Sequence, residues 1–362
     1  MTGKYWIAFS SIEQIDSHFT LKLFEHFKDI EKAFSASSND LKNIEGLSVK
    51  KAENFLKLRD KVNPEKVLSE VTNRGIKYLT FDDERYPFML KNIDNPPSIL
   101  YYKGDLESIN FEKTLAVVGS RRTSKYAKEA VNLIISQLAN TDICIVSGLA
   151  SGIDTCAHIS AIDNGLKTIG VIASGFDFVY PTANADLYRK IENGNGLIFT
   201  EYYPTFEPLK FRFPQRNRIV SGLSYGTLVA EASIKSGALI TANLTLEQGR
   251  ELMCIPGLIT NPNTEGIYKL LKNGATLVTS STDILEALNW EIKTTEQLKI
   301  NLTDINETEE KILKSIEIEE KGVDEIMTET GLDFDTLLIN LTTMELKGII
   351  EQVNGDRYKR VG

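Results

Sequence analysis

The sequence predicts an α/β protein: an extended Rossmann-like, doubly wound, mostly parallel sheet, with a small helical domain before it and a winged-helix domain after it. Three observations carry that expectation. Seven short apolar runs, several separated by helix-like segments, fill residues 114–280. Apolar residues recur at helical spacing through the first 60 positions, and the last 56 residues read as three helices and a hairpin.

The helical part is justified first. "HFTLKLFEHFKDIEKAF" repeats apolar residues at the spacing of one helix face, and "LKNIEGLSVKKAENFLKLRD" puts Gly46 in a short turn between two amphipathic pieces. Residues 1–62 are therefore expected to form a small helical domain of the SAM or helix-hairpin-helix type. Two readings of it stand side by side: a turn that offers amide groups to a phosphate, or a plain pair of antiparallel helices. From "NRGIKYLTFDD" to "NPPSILYYKGDL" the pattern is extended, punctuated by Pro96 and Pro97. The runs "TLAVVG", "DICIVSG", "KTIGVIAS", "GLIFTEY", "GTLVAEA", "ELMCIPG" and "ATLVTS" follow, with helical segments such as "YAKEAVNLIISQLA" among them. Strands this apolar, joined by crossovers, belong to a parallel sheet covered on both faces. That sheet domain is expected over residues 63–290, a polar linker over 291–306, and the winged helix over 307–362, its hairpin turned at Asn354-Gly355.

Composition narrows the function. With 42% hydrophobic and 25% charged residues the chain is of ordinary globular type, and 362 residues allow two or three domains. No apolar run approaches the roughly 18 to 20 residues needed to cross a bilayer, and the N-terminus lacks a signal-like core, so a cytoplasmic protein is expected. Cys144, Cys156 and Cys254 have no paired spacing, which argues for buried free thiols over a disulfide frame or zinc site. The net charge of −9 is unevenly placed. From Asp304 onward there are 15 acids and 7 bases, so the first 303 residues carry only −1. Fields are screened over about 8 Å at physiological salt, so local charge decides what binds.

In open α/β sheets ligands sit beyond the C-terminal ends of the strands, and three turns there draw attention. "VVGSRRTS" is not a G-x-G-x-x-G fingerprint, because Arg121 and Arg122 stand where that motif keeps the backbone bare; Gly119, Ser120 and Arg121 instead make an anion cradle. In "SGLASGID", Ser147, Gly148, Ser151 and Gly152 leave room for a second backbone, and Asp154 is placed to cap the next helix; taken alone, the stretch equally fits a βα turn with no ligand. The third is "KFRFPQRNR", read as a basic, aromatic loop with Lys210, Arg212, Arg216 and Arg218 and no acid between Glu207 and Glu231. Guanidinium groups suit phosphate, and rings such as Phe211 and Phe213 are faces on which bases stack for about 1 to 3 kcal/mol each. Phe211 equally fits a role in fastening the loop to the core. Cations interleaved with rings suit single strands, whose base faces are open.

These motifs, with "YPTAN", "FPQRNRIVSGL", "EASIKSGALIT" and "IPG" in this order, resemble the DNA-processing protein A (Smf) family over residues 82–257. The resemblance implies a cytoplasmic homodimer that binds single-stranded DNA, loads RecA recombinase onto it and displaces or bypasses single-strand-binding protein, chiefly in natural transformation. It implies no turnover, and nothing in the chain asks for a metal or cofactor. Its DNA site falls on Gly119, Ser120, Arg121, Ser147, Gly148, Gly152, Lys210, Phe213, Arg216, Asn217 and Arg218. Thr182 stands where many members carry a lysine, and that position is left out of the site.

An enzyme reading competes: "GTLVAEA" is similar to the signature of nucleotide phosphoribohydrolases, with Glu231 as acid-base, Arg121 on a phosphate and His158 as partner. A lone histidine on a helix is more often structural, and neither Glu201 nor Glu231 has a nucleophile or ligand set around it in the sequence. The third winged-helix segment carries Asp333, Asp335 and Glu345 and no base, leaving only "RYKR" positive. Such a surface repels phosphate, so a protein-interaction or dimerisation role is expected there, ahead of duplex binding.

Overall fold

The structure is a computed structural model describing residues 2–290, 307–316, 320–346, 349–353 and 357–360. Residues 1–291 form one compact unit and residues 292–362 a second. The expected linker, 291–306, and the turn at Asn354-Gly355 lie outside the described residues.

The first unit is built on a nine-stranded sheet: β1 (Lys77–Thr80), β2 (Ile99–Gly104), β3 (Thr114–Gly119), β4 (Cys144–Ser147), β5 (Thr168–Val171), β6 (Gly196–Thr200), β7 (Gly226–Glu231), β8 (Glu251–Cys254) and β9 (Thr276–Leu277). All seven apolar runs are strands. They are fully buried over β3 to β7 apart from the half-exposed Gly119 at the end of β3. The spatial order is β1-β2-β6-β5-β4-β3-β7-β8-β9, parallel from β6 to β9, with β1 and β2 added antiparallel at one edge. The chain leaves β3 toward β4, β5 and β6, then returns to the other side of β3 as β7. The order therefore reverses between β3 and β7, where the C-terminal ends splay apart and a crevice opens. Apolar cores cover both faces, one including Ala116, Val146 and Val229, the other Leu115, Val117 and Ile145. The two sets alternate along each strand because successive side chains point to opposite faces.

The N-terminal helices include Gly3–Ser10, Ser17–Phe27, Ile30–Ser35, Ser38–Lys42 and Val49–Arg59. Asp16, Asp29, Ser37 and Ser48 accept from amides of the first turns of the last four, the expected device for N-terminal donors without helical partners. Gly46 takes φ +67° in the turn before the fifth helix, as the helical hairpin requires. Trp6, Phe9, Phe19, Phe34 and Phe55 form the centre of their core, which also takes in Tyr101 of β2 and Tyr203 beyond β6. A further helix, Pro64–Asn73, leads from this region to β1.

The second unit holds helices Glu307–Ser315, Val323–Thr330 and Phe334–Leu346, with strands β10 (Lys321–Gly322), β11 (Ile350–Gln352) and β12 (Arg357–Arg360). Its three-stranded sheet runs β10-β12-β11, so a short strand between the first two helices completes the expected hairpin. Ile312, Ile326, Leu337, Leu341 and Tyr358 fill its core.

Candidate nucleic-acid interface

A cleft of about 860 Å³ opens at the β3/β7 reversal. Gly119, Ser120, Arg121, Gly148, Lys210, Phe213, Arg216 and Asn217 line it, which brings together eight of the eleven expected residues. Ser147, Gly152 and Arg218 are not on its wall, and each has a visible reason.

Ser147 is fully buried at the end of β4, where its hydroxyl donates to Val117 O at 2.7 Å and ties the strand to β3. Gly152 has φ +89°, and a Cβ there would collide with the carbonyl oxygens of Ser120 and Arg121. It lets the second turn close on the first, fastened by Ile153 N donating to Ser120 O at 3.2 Å. Arg218 turns from the cleft to Glu201, its Nη2 at 2.5 Å from Oε2, and both side chains are largely buried. These three support the walls from behind.

The first turn is a ready cradle. Ser120 Oγ accepts from Arg122 N at 3.1 Å and donates to Arg122 O, which curls the backbone so that Arg121 and Arg122 stand exposed. In the second turn Asp154 does not cap its helix; Ile153–Asp163 begins at Gly152 without a side-chain cap. Its carboxylate reaches back to accept from Gly148 N at 3.1 Å and Ala150 N at 3.4 Å. Burial pushes the Asp154 pKa up, opposed first by the charge of Arg216 and then by those amides.

The basic stretch is a helix, not a loop. Arg212–Gly222 is helical, and Pro214 is accommodated because its missing N–H falls in the first turn, where amides have no helical partner. Three of its four cations have counter-groups from distant parts of the chain. Arg212, 2% exposed, donates to Glu13 and to Glu207 O. Arg216, 3% exposed, donates through Nη1 to Gly148 O and Val171 O, joining the helix to the ends of β4 and β5. Burial pulls its pKa down while the charge of Asp154 opposes this. Arg216 is therefore on the cleft wall as a strut, and its buried Nε has no protein partner among the described residues. Lys210 is exposed and forms no ion pair among the described residues.

The rings are partly as expected. Phe213 lines the cleft edge-on to Tyr180, centroids 5.4 Å apart, with Arg121 Cζ 5.2 Å over its face. Phe211 is 56% exposed, although one side of its ring contacts Arg212. Sequence reasoning missed the opposite wall, made by Ser233, Ser236, Gly237, Ile240, Thr241 and Asn263. "SIKSG" directly after β7 was a small-residue turn at a strand end, the same signal that marked the other two; Tyr180 stood in "YPTAN" unassigned.

The residues drafted for catalysis are engaged elsewhere. Glu231, 1% exposed, accepts from Ser124 N at 3.0 Å and Asn261 Nδ2 at 3.1 Å, so it braces two turns. His158 is fully buried, its Nδ1 2.6 Å from Thr168 Oγ1. Since that hydroxyl donates to Ile145 O, Nδ1 is left as the donor. Burial lowers the His158 pKa to about 3. Cys144 and Cys254 are buried as expected; Cys156 is only half-buried, facing Asn132 across two helices. No helix among the described residues is long and apolar enough to cross a membrane.

A doubly wound sheet with a cationic, ring-bearing cleft at its reversal point, followed by a winged helix, defines a Rossmann-type protein equipped to hold an extended polyanion. The chain belongs to the DNA recombination-mediator protein A family: that family's model matches residues 77–289, and the DprA winged helix domain matches residues 301–356. It is 32% identical over 391 aligned positions to Protein Smf of Synechocystis, covering 98% of each chain. It is 48% identical to the DNA processing protein DprA of Streptococcus pneumoniae over 203 residues, 56% of this chain and 71% of that one. Among solved structures, DNA processing protein A from Streptococcus pneumoniae superposes with a TM-score of 0.68 at 36% identity, covering 78% of this chain and 95% of that one. DNA processing protein A from Helicobacter pylori, a protein with a single-stranded DNA binding mode, superposes at 0.53 and 30% identity, covering 59% and 95%.

Proposed function

We propose that this chain binds single-stranded DNA in the cleft and, as a homodimer, loads a RecA-type recombinase onto it past single-strand-binding protein. The observation that carries the DNA reading is one cleft holding the exposed cations Arg121, Arg122 and Lys210 together with the Phe213–Tyr180 ring pair. Each phosphate neutralised releases counterions, and each stacked base adds about 1 to 3 kcal/mol irrespective of sequence. Duplex DNA keeps its base faces covered and would leave the rings idle. Family membership supports the mediator role; the recombinase and the dimer rest on that kinship alone.

The winged helix is read as a protein-contact module. Its third helix exposes Phe334, Leu338 and Ile339 beside Asp333, Asp335 and Glu345, while Arg357 pairs with Glu325 at 3.2 Å and Lys359 with Glu351 at 2.7 Å. A groove-reading helix needs cations on that face.

The deciding measurement is affinity for a dT homopolymer as a function of salt, for the wild type and for Arg121→Ala and Lys210→Ala. Each variant is expected to bind about tenfold more weakly, with the slope of log K against log salt reduced by roughly 0.7, one single-strand phosphate contact. Unchanged affinity and slope in both variants would place the DNA elsewhere.

A further inference from the structure

Between β6 and the basic helix, residues 201–211 have no regular structure, yet this segment carries Lys210 to the wall of the cleft. Its first half is fastened by backbone bonds: Gly175 N donates to Phe206 O at 2.8 Å and Asp177 N to Pro204 O at 3.0 Å. The second half is organised around one side chain. Arg212 donates across its own turn to Glu207 O, and its guanidinium lies 5.0 Å from the Tyr202 and Phe206 ring centroids and 5.6 Å from that of Phe211. The Tyr202 hydroxyl donates back to Arg212 O at 3.4 Å. A cation so enclosed needs an anion, and Arg212's carboxylate partner is Glu13, 199 positions earlier in the turn that ends the first helix. That turn is held to the sheet where Ser10 Oγ meets the Tyr101 hydroxyl at 2.5 Å. A second tie is weaker: Ser17 Oγ lies 3.5 Å from Glu201, the partner of Arg218.

We propose that Glu13, which lies outside the cleft, is a positioning residue for single-strand binding: through Arg212 it holds the segment that presents Lys210. The N-terminal helices thereby belong to the DNA-binding machinery without touching DNA. This inference rests on the single-strand reading of the cleft. It makes a prediction opposite in sign to plain electrostatics. Removing a carboxylate near a polyanion site ought to tighten binding; removing this one leaves Arg212 enclosed without its counter-charge and lets the segment move away.

The test uses the full-length protein, a dT homopolymer and a salt series. Glu13→Ala is expected to bind about tenfold more weakly with a salt slope reduced by roughly 0.7, as for Lys210→Ala, because the displaced segment carries the Lys210 phosphate contact with it. Glu13→Gln keeps an acceptor for Arg212 and is expected within about threefold of wild type. Should the alanine variant melt below the assay temperature, Glu13→Asp, one methylene short of Arg212, takes its place with a loss of about threefold expected. An alanine or aspartate variant that binds as tightly as wild type or tighter, a glutamine variant as weak as alanine, or an alanine variant that keeps the full wild-type salt slope would each overturn the strut. Arg121→Ala in the same series separates the two claims: if it too leaves binding unchanged, the cleft is the wrong site; if it weakens binding and Glu13→Ala does not, only the strut is wrong.

Discussion

The Arg121 guanidinium carbon sits 5.2 Å from the centroid of the Phe213 ring, so the turn after β3 and the basic helix meet at a cation and a ring. A cation and an aromatic ring therefore stand within one side chain's reach of each other at the cleft. Tyr180 packs against Phe213 in an edge arrangement, centroids 5.4 Å apart.

Phe213→Ala is expected to weaken single-strand binding by about 1 to 3 kcal/mol while leaving the salt slope unaltered, since stacking releases no counterions. Measuring the variant against an abasic oligonucleotide checks the assignment. Wild type and variant should bind that ligand equally.

Gly152→Ala acts on the backbone. At φ +89° an alanine is strained by about 1 to 3 kcal/mol, and its methyl group would press on Ser120 O and Arg121 O. Thermal melting should show a lower Tm, and DNA affinity should fall as the two turns separate. Gly165→Ala, at φ +73° with open space around it, is the control: it shares the strain but should keep wild-type affinity.

His158 makes stability depend on pH in a defined direction. Its pKa is near 6.5 in the unfolded chain and about 3 in the buried site. The stabilising neutral form is fully populated in both states above pH 6.5. As pH falls from 6.5 toward 3 the unfolded state alone takes up the proton, and stability declines by about 1.4 kcal/mol per pH unit from this group. Denaturant titrations across that window should show the decline, and His158→Gln should remove that share of it.

Deleting residues 307–362 should leave single-strand affinity and its salt slope close to wild type, because the exposed cations Arg121, Arg122 and Lys210 all belong to the first unit. A filter-binding comparison suffices. A collapse of affinity would mean the winged helix contacts the strand.

Every strand of the parallel sheet was legible because an apolar run bounded by glycines and polar turns is a message written within ten residues. So were the two turns after β3 and β4, where small residues and an arginine stand at strand ends. The helical state of Arg212–Gly222 was not, since Pro214 and a run of charged residues mimic a loop unless its place in the first turn is known. The wall after β7 was missed for another reason. Strands β3 and β7 lie more than a hundred residues apart, and that they are neighbours is a fact of sheet order.

The chain alone thus determined the fold class, the order of the modules and the chemistry gathered at the strand ends, since each rests on residues close together in sequence. Only the tertiary structure decided which cations of the basic stretch stay unpaired among the described residues. Lys210, Arg212, Arg216 and Arg218 look equivalent in a stretch without acids, yet Glu13 takes Arg212, two carbonyl oxygens take Arg216 and Glu201 takes Arg218. Charges interact through space, and the fold sets those distances.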